Sequence, residues 1–156
     1  MKSRLDSISP ELVKKVYLAG EAQKRHAVVA ACNHALNAVA PLDPNYDFLI
    51  NDITLGVLFS DEKLSQINEV VSSLDERYFA AQDEGGENIG RGEDYLSFFS
   101  QARAIAALMY AGKGESSFYA CEAIYEASMA LDDSQQLISH LLLDLTEGDT
   151  SDTQAK

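Results

Sequence analysis

Positive charge is what this sequence has least of. Against 25 Asp and Glu it sets 12 Lys and Arg, a net of −13. Nucleic-acid binding rests on neutralising phosphates with basic side chains, so DNA or RNA meets repulsion over most of such a surface. Anionic membrane surfaces are disfavoured on the same ground. Cysteine is scarce too, with Cys32 and Cys121 alone. They lie far apart in apolar helical contexts, which argues against a disulfide framework and for two buried thiols in a reducing compartment. Long apolar runs are missing. The most apolar one, Ala104 to Ala111, falls far short of the ~20 residues a spanning helix needs. The opening MKSRLDSISPELV has no apolar signal-peptide core, so a cytoplasmic location is expected. No stretch reads as a strand, because the β-branched residues are scattered through helical periodicity.

What remains is helical. A chain of 156 residues fits one domain and buries ~70% of the surface its unfolded form exposes. The stretch from Tyr95 to Leu131 reads as two helices joined by Gly112-Lys113-Gly114, both apolar over much of their circumference. Such helices sit at the centre of a bundle. Phe98, Phe99, Ile105, Met109, Phe118, Cys121, Ile124 and Tyr125 are expected in the core. The fold class is therefore all-α, a single-domain bundle of about six to seven helices around this hairpin.

The surrounding helices announce themselves by their ends. Ser9-Pro10-Glu11 supplies a capping hydroxyl, a proline at the first helical position and an acid near the positive dipole end. Gly20 either breaks that helix or merely weakens it, so residues 10–40 form one helix or two. Their later part carries the stripe Val28, Ala31, Cys32, Ala35, Leu36 and Val39, opposite His26, Asn33 and Asn37. Pro41-Leu42-Asp43-Pro44 ends that unit and opens a helix expected over Asn45 to Phe59, in which Gly56 allows close approach. Ser60-Asp61-Glu62 caps an outer helix, with Leu64, Ile67, Val71, Leu74 and Tyr78 recurring at steps of three and four. Gln82 to Asp94 is expected as a loop, being rich in glycine and like charges. A last helix starts at Asp132-Asp133 and runs through Leu137, Ile138, Leu141, Leu142 and Leu145. Residues 1–145 then form the helical domain, and 146–156 are expected as a disordered acidic tail.

Motifs of chemistry fail one by one. Gly85 and Gly90 have phosphate-loop separation, but Arg91 and Gly92 stand where Lys and Ser/Thr belong, and a helix precedes them. Asp83 to Asp94 has the length of a calcium loop, yet Gly85 and Asn88 occupy its third and sixth positions and Arg91 its ninth. Among His26, His34 and His140, none joins an H-E-x-x-H or a helical E-x-x-H. Cys32 and His34, two apart on a helix, diverge. No nucleophile elbow is present. No cofactor, metal or catalytic residue is expected, and the chain is read as non-enzymatic.

Binding is the function left to charge. Residues 1–40 carry six bases and three acids, a net of +3. The remainder holds six bases and 22 acids, a net of −16. Glu115, Tyr119, Glu122 and Glu126 recur at helical spacing on the second hairpin helix. This stripe is the first candidate for meeting a basic partner, the tyrosine supplying contact area. Its charge reversal is expected to leave folding intact. Asp75-Glu76 and the loop acids Asp83, Glu84 and Glu87 are further candidates. A solvated face is the plainer reading of all of them. Self-association is the alternative function, as a homodimer in which the basic first forty residues meet the acidic remainder of a second copy.

The phrases AVVAACNHALNAVAP, PNYDF, QARAIAALMYAG and ACEAIYEASMAL resemble small all-helical bacterial immunity proteins, over roughly residues 20–140. The likeness lies in an alanine-rich helix ending near a proline, an acidic middle and an alanine-rich hairpin. It implies a cytoplasmic protein that binds and occludes a toxin. An acidic chain fits a basic toxin such as a nuclease, whose nucleic-acid cleft it would fill. Such families share no active-site residues, and none is carried over.

Overall fold

A computed structural model describes residues 3–39, 45–84, 92–114 and 116–154. Seven α-helices and one 3-10 turn, with no strand, make up the described residues, so the fold is all-α. The 3-10 turn covers Arg4–Ser7 and leads into α1, Pro10–Leu18. The Ser9 hydroxyl accepts from the Leu12 N–H at 3.2 Å, and Leu12 and Val16 are buried completely. The chain then turns extended at Ala19 and Gly20, and α2 runs over Glu21–Ala38. Residues 10–38 are thus two helices, which settles what periodicity left open. Ala27, Val28, Ala31, Cys32 and Ala35 face inward, while His26, Asn33 and Asn37 are exposed. The Pro41–Pro44 boundary lies outside the described residues.

Helix α3 covers Asn45–Thr54, ending five residues before Phe59, where the sequence pattern placed its end. The reason is Gly56, whose φ of 78° lies in the left-handed region. The Gly56 N–H donates to the Ile53 carbonyl at 3.0 Å and the Val57 N–H to the Asp52 carbonyl at 2.9 Å. That pair of hydrogen bonds is a Schellman stop, which satisfies the last carbonyls and turns the chain away. Gly56 also permits the close approach expected of it, since the Arg25 guanidinium comes within 2.9 Å of where a Cβ would sit.

Helix α4, Asp61–Glu84, starts where Ser60 accepts from the Lys63 N–H at 3.1 Å. It buries Ile67, Val71 and Leu74 and leaves its other side to solvent. Helices α5, Gly92–Lys113, and α6, Ser117–Met129, form the hairpin. Helix α5 packs against α2, α3, α4 and α6, and α6 against α1, α2, α5 and the 3-10 turn, so the hairpin is central as expected. Alanines make this possible. Ala102, Ala104, Ala106, Ala107, Ala120, Ala123 and Ala127 are buried and let the backbones approach, with Ile105, Leu108 and Ile124 filling between.

The hairpin turn differs from expectation. Gly112 and Lys113 belong to the last turn of α5, and Ser116 caps α6 by accepting from the Tyr119 N–H at 3.1 Å. Gly112 is a notch, not a bend: a Cβ there would run into the Phe59 ring. The Phe59 N–H also donates to its carbonyl at 3.0 Å.

Both ends of the expected acidic loop are helical. Helix α4 continues over 82–84 and α5 starts at Gly92, leaving 85–91, with Glu87, outside the described residues. Helix α7, Gln135–Gln154, begins after Asp133 accepts from the Gln135 N–H at 3.0 Å. It buries Leu137, Ile138, Leu141 and Leu145. Its backbone continues past Leu145, where the sequence pattern starts a disordered tail. Extending a nucleated helix costs far less than starting one, which carries both helices beyond their amphipathic parts.

Candidate functional site: a buried charge network and an acidic helix face

The carboxylates singled out on α6 are not on a solvated face. Glu122 is 5% exposed and Glu126 1%. Each is held by arginines distant in sequence. The Ser3 hydroxyl accepts from the Leu5 N–H at 3.2 Å and Leu5 is buried completely, which fixes the 3-10 turn beside α6. From that turn the Arg4 backbone N–H donates to Glu122 Oε2 at 3.0 Å and its Nε to Oε1 at 2.9 Å. Arg4 Nη2 reaches Glu126 Oε1 at 2.8 Å. From α5, Arg103 Nη1 donates to the other oxygen of Glu126 at 2.6 Å. Arg103 Nη2 holds both oxygens of Asp75 on α4, at 3.1 and 2.9 Å.

Aromatic rings complete the enclosure. The Arg4 Cζ stands 4.5 Å from the centre of the Tyr125 ring and 5.8 Å from that of Tyr110, and Arg103 Cζ lies 5.7 Å from Phe99. Burial pushes the Glu126 carboxyl above its ordinary range, with Arg103 and Arg4 pulling the other way. For Arg4, desolvation acts to lower the guanidinium value, but Glu126 and Glu122 together raise it.

The expected stripe is therefore divided. Glu115 lies outside the described residues. Tyr119 is half-buried, with its ring against Gly114. Glu122 and Glu126 are interior, and Asp75 is committed to Arg103. Glu76 is exposed, while Asp83 and Glu84 fall on the last turn of α4. Charge reversal on α6 would thus strike the core, contrary to the expectation that folding survives it. One of the six bases of the first forty residues, Arg4, is likewise spent within its own chain.

An acidic row that solvent does see lies on α4. Glu62, Glu69 and Glu76 are exposed and spaced seven apart, and Asp83 follows at the same interval in sequence. Seven residues make close to two full turns, so the row drifts by only about 20° per step. Val70 and Phe79, 37% and 58% exposed, flank the row on opposite sides, since nine residues make two and a half turns. Sequence reasoning missed this row, although the register was there to be counted.

Elsewhere, Asp144 Oδ2 on α7 lies 3.3 Å from His140 Nε2 and 3.9 Å from His26 Nε2 of α2. No group of three or more residues suited to holding a metal ion occurs among the described residues. No described helix is long and apolar enough to cross a membrane. Comparison with protein-family models, with characterised proteins and with solved structures finds no match.

Proposed function

We propose that this chain is a non-enzymatic acidic binding protein that engages a basic protein partner through the outer face of α4. The observation that carries the reading is the exposed row Glu62, Glu69 and Glu76, with Val70 and Phe79 on the same helix. Carboxylates spaced along a helix present a regular negative field, which raises the encounter rate with a cationic protein. Exposed aromatic and aliphatic side chains supply the area that holds a complex once formed. The resemblance to bacterial immunity proteins supports a toxin as that partner. A nucleic-acid-cleaving toxin has a basic cleft that such a face would cover from a cytoplasmic position.

The test is capture from a lysate of the source cells on the immobilised chain, at low and high salt. Glu62→Lys with Glu69→Lys and Glu76→Lys serves as the control. A basic protein retained by the wild-type chain, released by salt and missed by the triple variant supports the reading. Equal retention by both chains counts against it.

A further inference from the structure

Two guanidiniums, Arg4 and Arg103, face three carboxylates, Asp75, Glu122 and Glu126, in the buried network. Among the described residues it holds one cation fewer than it holds carboxylates. Its two ends also differ in kind. Arg103 is 18% exposed in its side chain and sits between helices, whereas Arg4 is 45% exposed and comes from a four-residue turn. What Arg4 occupies has the form of a receptor site. Glu122 and Glu126 each give an oxygen to a different nitrogen of one planar group, and the Tyr125 ring lies within stacking range at 4.5 Å. Two carboxylates and an aromatic face select a guanidinium over an ammonium, which is a point charge without a planar fork.

We propose that Glu122, Glu126, Tyr110 and Tyr125 form a binding site for an arginine side chain, which the chain's own Arg4 fills. An arginine of a basic partner competes for it. The second half rests on the partner reading proposed for α4; the site itself stands on this geometry. Leu5, buried completely, anchors the turn, so the Arg4 side chain can swing out while the backbone stays in place. The Arg4 N–H then still donates to Glu122 Oε2, leaving Oε1 and Glu126 Oε1 for the incoming group.

Chemical rescue tests the site in the full chain. Arg4→Ala is titrated with acetyl-arginine amide, acetyl-lysine amide and acetyl-citrulline amide at equal ionic strength, following the thermal midpoint and tyrosine fluorescence. The arginine amide is expected to raise the lowered midpoint saturably, recovering at least half of the loss. The lysine amide should recover much less and the citrulline amide nothing, while the wild-type midpoint stays put. Arg4→Lys, which keeps the charge, is run in parallel in case the alanine variant does not fold, and should also respond to the arginine amide alone. No saturable response in either variant, or equal responses to arginine and lysine amides, overturns the proposal. The probe is a small amide, so its failure leaves the α4 reading standing, and failed capture leaves this site standing.

Discussion

Arg4 and Glu122, 118 positions apart in the chain, are joined at 2.9 Å through Nε and again through the Arg4 backbone N–H at 3.0 Å. This contact ties the second hairpin helix to the N-terminal turn, and Glu122 is buried beneath it. It also inverts the consequence of mutating α6.

Glu126 is therefore expected to matter to stability far more than an exposed acid of α4. Removing one member of a buried ion pair strands the others and costs about 3–5 kcal/mol. Glu126→Ala should lose that much in urea unfolding, whereas Glu76→Ala, at an exposed position, stays within about 0.5 kcal/mol. Equal losses from the two would contradict the network.

The pH dependence follows from the raised carboxyl of Glu126, held up by burial against the pull of Arg103 and Arg4. The native chain then takes the proton more readily than the unfolded one. That contribution is fully present below the ordinary carboxylate range and is lost as pH rises through the raised value. Relative to Glu126→Gln, which cannot titrate, the wild-type chain should gain stability as pH falls toward the ordinary range. Urea unfolding of both between about pH 7 and about pH 4 checks the sign. A difference that moves the other way refutes it.

Gly112 should tolerate no side chain. Phe59 is 7% exposed and its ring fills the space a Cβ would take. Overpacking of this kind costs about 1–3 kcal/mol. Gly20 has nothing within 4 Å of a Cβ, so Gly20→Ala should lose less than Gly112→Ala in the same denaturation series. The reverse order would mean that Phe59 does not dock on α5.

Both thiols should be inert in the native chain. Burial pushes Cys32 up to about 12 and Cys121 to about 11, and neither is exposed to solvent. Thiolate is the reactive form. A colorimetric disulfide reagent should therefore label neither before unfolding and both after it. Rapid labelling of the folded chain would place at least one thiol at the surface.

Much of the fold was legible because its signals are local. Ser9-Pro10, Ser60 and the three-four spacing on α4 each act within a turn or two of themselves. The Schellman stop at Gly56 was harder, because a lone glycine in an apolar run reads equally as a close approach, which it also is. The site was misread for a different reason. An acid on a helix looks solvated until its partner is known, and Arg4 and Arg103 reach Glu122 and Glu126 only through tertiary packing. The α4 row needed no partner. It is legible only on counting by sevens, whereas the apolar stripe of the same helix recurs by threes and fours.

The α4 face is tested most directly by the association rate constant with the captured basic partner, measured across ionic strength for the wild-type chain and for Glu62→Lys/Glu69→Lys/Glu76→Lys. Steering by a charged face raises on-rates by roughly 10–1,000-fold and fades with salt. The wild-type rate should fall by at least about tenfold from low to high salt, and the triple variant should start slow and change little. A wild-type rate indifferent to salt, or a triple variant that tracks it, would contradict the account.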